Sequence, residues 1–345
     1  LSTYRDAGVD VTAGERAVSM FAETLNRSFS SRVLSSVGGF GSLYSIDNLG
    51  VKEPILVSST DGVGTKTQLA RLLGRYDTIG QDLVAMCVDD IACYGAQPLF
   101  FLDYLSVGKQ SPEIVSEIVT GVATACTKAR CSLIGGETAE HPGVMDPDDF
   151  DLGGFVVGLV AKDQMWGPNL VREGDLLLGL KSPNLRSNGF SLIRRIYEID
   201  RLLQHPQSLS DHTREELKVV LEPSILYSPY LQDMPMRQEV RVAAHITGGG
   251  LLHNLSRSIP DGLVAEVVRD SWPVPEIFLE VKRRGDVPSE EMYRIFNMGV
   301  GMVLVVSPDS ISSISSYFYS VGVETYTLGQ ISKRTKDEEG AVWVE

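Results

Sequence analysis

Between the apolar run Ile55-Leu56-Val57 and a helix-like segment beginning near Gln68 lies Ser58-Ser59-Thr60-Asp61-Gly62-Val63-Gly64-Thr65-Lys66. The order is strand, glycine turn, helix, a unit that belongs to layered folds of mixed class. Asp61 stands where the strand ends, Gly62 and Gly64 can turn backbone N–H groups toward a ligand, and Thr65 and Lys66 add a hydroxyl and an ammonium. That set suits a magnesium-bound polyphosphate. The spacing is not that of a Walker A loop, which needs four residues between its glycines. A tight turn with a capping threonine accounts for the same residues, so the stretch takes its meaning from its surroundings.

Residues Ala17 to Phe29 place apolar groups at Ala17, Val18, Phe21, Ala22 and Leu25, the spacing of a surface helix. Next comes Val37-Gly38-Gly39-Phe40-Gly41, either a loop that closes over phosphates or a flexible connection. On a helix from Thr78 to Tyr94, at about 100° per residue, Ile79, Leu83, Met86, Cys87 and Tyr94 form one arc. Asp90 falls in its middle, with Asp82 and Asp89 at its edge. A carboxylate facing a core needs a partner, so Asp90 is expected to bind a metal or ligand, or to cap the helix end near Gly95, whereas Asp89 has no such need. Leu99 to Leu102 reads as a strand ending at Asp103-Tyr104, and Glu113 to Ala129 as a helix. A second strand, Ser132-Leu133-Ile134, runs into Gly135-Gly136-Glu137-Thr138-Ala139-Glu140. Glu137 is either a solvated loop residue or a second strand-end carboxylate; several such carboxylates at one sheet edge build a metal–phosphate site.

After the acidic loop Asp146-Pro147-Asp148-Asp149, a strand over Gly154 to Val160 completes the first half. The turn cluster Trp166-Gly167-Pro168-Asn169 marks the boundary. With 345 residues, two domains are expected, 1–166 and 167–345. The second half opens with a strand over Asp175 to Leu180, then Ser187-Asn188-Gly189 and a helix carrying Phe190, Leu192, Ile193 and Ile196. Residues Gln204 to Glu222 are polar with weak periodicity and read as a surface excursion. Val242 to Ile246 is strand-like and leads through Thr247-Gly248-Gly249-Gly250 into a helix beginning near Leu251. Consecutive glycines there leave N–H groups open to an anion, a good phosphate cradle. His245, just before them, is either a satisfied structural histidine or an acid or base. A strand over Val300 to Val306, a Ser-rich helix-like run and Thr327 to Ile331 follow. Alternating strands and helices indicate an α/β or α+β chain.

The formal charge of −14 argues against nucleic acid or an anionic membrane as the main partner. Hydrophobic residues make up 43% and charged residues 22%, a globular rather than a disordered profile. Cys87, Cys93, Cys126 and Cys131 form no C-x-x-C pair and sit in apolar segments, which reads as packing in a reducing compartment. Leu1 to Asp6 carry neither a basic start nor a hydrophobic stretch, and no apolar run approaches a membrane span, so a cytoplasmic protein is expected.

Several stretches fit one family together and in order. They are Tyr4-Arg5-Asp6-Ala7-Gly8-Val9-Asp10, Gly38-Gly39-Phe40-Gly41, Thr60 to Lys66, Asp90-x4-Gly95-Ala96-x-Pro98, Gly135 to Glu140, Ser187-Asn188-Gly189, His245 to Gly250 and Met292-Tyr293-Arg294-x2-Asn297-x-Gly299-Val300-Gly301. The chain resembles the phosphoribosylformylglycinamidine cyclo-ligase (aminoimidazole ribonucleotide synthetase) family over nearly its whole length. That family stands in a superfamily with thiamine monophosphate kinase and selenophosphate synthetase. The resemblance implies a two-domain α/β subunit whose N-terminal domains pair into a β-barrel across a homodimer, with a C-terminal α/β domain completing the substrate site. It implies ATP and Mg2+, leaves K+ open, and gives formylglycinamidine ribonucleotide as substrate.

By the same resemblance Asp61, Asp90 and Glu137 hold magnesium on the nucleotide. Gly38, Gly39, Phe40 and Gly41 close over ATP, with Gly62, Gly64 and Thr65 beside it, and Lys66 neutralises phosphate charge. Ser187, Asn188, His245, Thr247, Gly248, Gly249 and Gly250 hold the substrate, and His245 is a candidate for handling a proton. Two positions depart from the family. Many members carry His-Ser-Asn-Gly where this chain has Arg186-Ser187-Asn188-Gly189, and Ala22 stands where a relative has a lysine near ATP. A small-molecule kinase and a nucleotide-binding regulator without turnover are the competing expectations.

Overall fold

The computed structural model describes residues 11–35, 41–335 and 339–345. Gly38, Gly39 and Phe40 lie outside the described residues, as does the motif from Tyr4 to Asp10. The chain divides into two compact units: Leu1–Val88, Pro98–Leu159 and Phe190–Leu226 make unit 1, and Asp89–Gln97, Val160–Gly189 and Tyr227–Glu345 make unit 2. One change of unit, at Leu159/Val160, lies near the boundary expected at 166/167, while Phe190–Leu226 returns to unit 1.

In unit 1 the strands β1 (Pro54–Gly62), β2 (Gln97–Val107), β3 (Ser132–Glu140) and β4 (Phe150–Ala161) form a sheet of order β1-β4-β2-β3, with β2 and β3 parallel. Burial alternates along the two central strands, β2 and β4. In β2 Phe101, Asp103, Leu105 and Val107 are buried and Tyr104 is exposed; in β4 Leu152, Gly154 and Val156 are buried and Asp151 and Phe155 exposed. One face of the sheet is therefore core and the other is not.

The helices α1 (Val11–Arg27), α2 (Lys66–Leu73), α3 (Ile79–Ala92) and α4 (Pro112–Lys128) accompany this sheet. Of the stripe expected on α1, Ala17, Phe21 and Leu25 are buried, Ala22 is half-buried and Val18 is exposed. The backbones of α3 and the loop before it touch α4 through two glycines: a Cβ on Gly80 would stand 2.2 Å from Val122 N, and one on Gly121 2.3 Å from Asp77 O. That approach leaves no room for any side chain.

Two local readings change. β3 stays a strand through Gly135–Glu140, where a loop was expected. Gly136 has the space of its missing Cβ filled by the Asp103 side chain, whose Oδ1 lies 2.1 Å from that point. Burial pushes the Asp103 carboxyl up to about 7. The polar stretch 204–222 is not a surface excursion either. α5 (Phe190–Ile196) and α6 (Ile199–Gln204) lead to α7 (Asp211–Leu221), capped by Ser210 Oγ accepting from Thr213 N at 3.1 Å. α7 buries only Leu217, Val220 and Leu221, all near its C-terminal end, which is why its periodicity is weak in the sequence.

Unit 2 is built on β5 (Leu176–Lys181), β6 (Val240–His245), β7 (Leu263–Val268), β8 (Val300–Val306), β9 (Thr325–Lys333) and β10 (Ala341–Val344), in the order β10-β7-β9-β5-β8-β6. All neighbours are antiparallel except β10 and β7. β8 is buried along its whole length, as a seven-residue run of Val, Gly, Met and Leu requires. The helices are α8 (Ser228–Asp233), α9 (Gly250–Ser256), α10 (Glu276–Gly285), α11 (Ser289–Ile295) and α12 (Ile311–Ser320). α9 sets Leu251 and Leu255 into a core with Leu177, Val242, Val303, Val305 and Ile331. Among the described residues, no helix is long and apolar enough to cross a membrane.

Candidate functional site

The substrate-side residues singled out in the sequence come together in unit 2, on the loops that follow β5 and β6. Asn254, in α9, donates from one amide nitrogen to the carbonyls of Thr247 (3.2 Å), Gly248 (3.2 Å) and Gly250 (2.8 Å). A trans peptide sets each N–H opposite the preceding carbonyl, so the N–H groups of Gly248 and Gly249 face away from Asn254. The loop is held with those donors turned outward. It has to be glycine: Gly249 and Gly250 have φ of +99° and +72°, and a Cβ on Gly250 would stand 1.9 Å from Tyr293 O.

The loop after β5 abuts this one. A Cβ on Gly248 would meet Asn188 Oδ1 at 3.5 Å. Ser187 Oγ and Asn188 Nδ2 are buried and make no hydrogen bond to the described residues. Two buried polar atoms left unspent beside a ring of glycines is an arrangement that a polar ligand completes.

His245, the last residue of β6, is buried. Its Nδ1 lies 2.8 Å from Asp90 Oδ1 and its Nε2 2.9 Å from Arg186 Nη2. Arg186 Nη2 also donates to Asp89 Oδ2 at 2.8 Å, and Asp89 Oδ1 accepts from the backbone N–H groups of Tyr227 and Ser228, each at 2.9 Å. The guanidinium carbon stands 5.0 Å from the Tyr227 ring centroid. The order Asp89, Arg186, His245, Asp90 is a continuous chain of contacts within unit 2. Desolvation pushes the neighbouring Cys93 thiol well up, and the charges of Asp90 and Asp89 act the same way, so Cys93 is no thiolate nucleophile.

The expected contrast between the two aspartates is reversed. Asp89 is fully buried, whereas the Asp90 side chain keeps 42% of its surface exposed. The arc drawn on α3 misassigns them because every residue from Asp82 to Asp89 is buried; a helix enclosed all round carries no facial signal in its apolar residues. What the sequence did hold was the spacing of Asp82 and Asp89, two turns apart on one stripe of an apolar helix, each demanding a partner.

In unit 1 the arrangement differs from expectation. Lys66 is wholly buried: its ammonium lies 2.6 Å from Asp82 Oδ2, donates to Glu222 O at 3.1 Å and sits 5.1 Å from the Phe190 ring centroid. Asp82 Oδ1 accepts from Ser224 N (2.9 Å) and Ser224 Oγ (2.6 Å). Lys66 is thus an internal tie between α2, α3 and the segment after α7, and does not offer its charge to phosphate. Asp61 and Glu137 are exposed, on β1 and β3, which are the two edges of the sheet with two strands between them. Among the described residues, no group of three or more His, Cys, Asp or Glu could hold a metal ion. Of the three expected magnesium ligands, Asp61 and Glu137 thus lie on opposite edge strands of the unit 1 sheet and Asp90 belongs to unit 2. Gly62 N donates to Asp61 Oδ1 at 2.7 Å, Gly64 takes φ +56°, Thr65 Oγ1 is 3.3 Å from Ser191 Oγ, and Gly41 lies in an open position.

The domain family described as AIR synthase related protein matches the chain twice, its N-terminal domain over residues 47–160 and its C-terminal domain over 172–341. A phosphoribosylformylglycinamidine cyclo-ligase of Acetivibrio thermocellus is 44% identical over 342 residues, covering 99% of each chain. Another, of Geobacillus kaustophilus, is 44% identical over 335 residues, covering 96% of this chain and 95% of the relative. Among solved structures, thiamine-monophosphate kinase of Stenotrophomonas maltophilia superposes with a TM-score of 0.67 at 18% identity, covering 95% of both chains. The hydrogenase maturation protein HypE in complex with ATP does so with a TM-score of 0.64 at 16% identity, covering 96% of this chain and 90% of that one. At such identities these two structures establish the fold.

Proposed function

We propose, since the chain belongs to the phosphoribosylformylglycinamidine cyclo-ligase family, that it closes the imidazole ring of aminoimidazole ribonucleotide from formylglycinamidine ribonucleotide with ATP. The observation that carries the substrate side is the meeting of Ser187-Asn188 with the Thr247–Gly250 loop, where two buried polar atoms and outward-facing N–H groups converge. The glycine N–H groups suit the ribose phosphate, and Ser187 and Asn188 suit polar groups of the same ligand.

The chemistry follows from the substrate. A formamide oxygen is a poor leaving group. Transfer of the γ-phosphoryl group to it forms an O–P bond as the bond from the γ-phosphorus to the β,γ-bridging oxygen breaks and ADP leaves; the amidine nitrogen attacks the formyl carbon, and the C–O bond breaks with loss of phosphate. Protons lost from the ring nitrogens pass to solvent, a methylene proton shifts to the exocyclic nitrogen as the ring becomes aromatic, and the products are the aminoimidazole, ADP and phosphate. Positioning and charge neutralisation do most of the work in such a transfer. Magnesium carried by ATP would neutralise its β- and γ-oxygens, and it needs only one or two protein carboxylates. Asp90 is the carboxylate that fits, partly exposed and held through one oxygen by His245. Asp61, with Gly62, Gly64 and Thr65, is assigned to the nucleotide at the end of β1, as is Gly41. Glu137 stands on the opposite edge strand of the same sheet.

A second copy of the chain is the natural cover for the outward face of the unit 1 sheet. Tyr104 and Phe155 are exposed there, and the edge strand β1 leaves Ile55 and Leu56 exposed as well. An apolar sheet face with an unpaired edge strand is the material of a strand-to-strand dimer.

The activity is tested with purified protein, formylglycinamidine ribonucleotide, ATP and magnesium, the aminoimidazole being trapped by diazotisation. Dye equal to the ADP formed is expected. ADP without dye identifies a small-molecule kinase, and neither product identifies a binder.

A further inference from the structure

We propose that Arg186 is a positioning residue that locks His245 in its Nδ1–H tautomer and, through it, fixes the Asp90 carboxylate. A guanidinium has five N–H donors and no acceptor, and it does not lose its charge in proteins. A contact of 2.9 Å between Arg186 Nη2 and His245 Nε2 therefore requires a lone pair on Nε2. The ring proton is then on Nδ1, 2.8 Å from Asp90 Oδ1, and the bond runs from histidine to carboxylate.

Arg186 can do this because it is itself immobile. It is fully buried, stands over the Tyr227 ring, and donates to Asp89, whose other oxygen is taken by two backbone N–H groups at the start of α8. Its backbone adopts φ +59°, a left-handed conformation that the buried partners hold in place. The cation needed to balance Asp89 thus doubles as the selector of the His245 tautomer. A histidine at position 186 would bring either a donor or an acceptor to that point, so the arginine makes unconditional a choice that a second imidazole leaves open. Both nitrogens of His245 are engaged, which assigns it to holding Asp90 and not to carrying a proton during ring closure.

The assignment builds on Asp90 serving the nucleotide, and the test separates the two ideas. Full-length protein labelled with 15N-histidine gives long-range ring correlations that distinguish the tautomers, and a His245→Gln sample identifies its signals. With no ligand present, His245 should show a protonated Nδ1 and a bare Nε2. A protonated Nε2, with or without Nδ1–H, overturns the proposal. In the charge-balanced double variant Arg186→Met/Asp89→Asn, the amide still accepts from Tyr227 N and Ser228 N. Here the single tautomer should give way to a mixture, and kcat should fall about 10- to 100-fold, with KM for formylglycinamidine ribonucleotide little changed. An unchanged tautomer with full kcat overturns the role of Arg186. If the double variant does not fold, Arg186→Gln/Asp89→Asn supplies the same comparison, since a glutamine can turn either its carbonyl or its amide toward Nε2 and so leaves the tautomer unselected. Should His245 prove to be Nδ1–H while no aminoimidazole is ever formed, the functional reading fails and the tautomer lock stands.

Discussion

Asp90→Asn stops turnover and leaves the fold undisturbed. Asparagine has the shape of aspartate and still accepts the hydrogen bond from His245 Nδ1, and the side chain at 90 keeps 42% of its surface exposed, so stability should change by less than about 1 kcal/mol. What the substitution removes is the negative charge, which the Mg–ATP reading requires. The loss of rate should therefore exceed the roughly 10- to 100-fold cost of losing a partner that only supports a metal ligand. Circular dichroism and melting midpoint report the fold, and the diazotisation assay reports turnover. Near-normal activity in this variant removes Asp90 from the nucleotide site.

Lys66→Met is expected to behave in the opposite way, failing as a protein before it fails as an enzyme. The lysine and Asp82 bury one another completely at 2.6 Å. Breaking such a pair from one side leaves an uncompensated carboxylate inside the protein, at a cost of about 3–5 kcal/mol. Chemical denaturation should show that loss. The double variant Lys66→Met/Asp82→Asn should recover most of it, because the amide oxygen still accepts from Ser224 N and Oγ while no charge remains. A Lys66→Met protein of full stability with a raised KM for ATP would restore the phosphate-neutralising role that the sequence suggested.

Local chemistry decided what could be read before the structure. β1, β5, β6 and β8 announce themselves as short apolar runs ending in glycine or polar residues, and α1 and α4 as stripes with one dry face. The loops at Ser187-Asn188 and Thr247–Gly250 were legible because glycine takes a positive φ without steric cost and so marks such turns in the sequence. The failures are equally physical. α3 is enclosed on every side, so its apolar residues could not tell Asp89 from Asp90. Lys66 looked like a phosphate ligand because its partner, Asp82, is a sequence neighbour only in the sense of lying on the next helix. The contact between Arg186 and His245 joins residues 59 positions apart and has no local signature. The exchange of histidine for arginine in the Ser-Asn-Gly motif was its one visible trace. Asn254, which ties the glycine loop from four residues beyond it, was missed because a single asparagine on a short helix resembles any surface residue.

The central claim is that ATP activates the formamide oxygen so that it can leave. Substrate prepared with 18O in the formyl group, turned over to completion, puts that claim to mass spectrometry of the products. The oxygen that leaves carbon is the one that accepted the phosphoryl group, so the label should be found in inorganic phosphate, one atom per aminoimidazole formed. Label released as water, with unlabelled phosphate, would show that ring closure expels the oxygen without phosphorylation and would contradict the account.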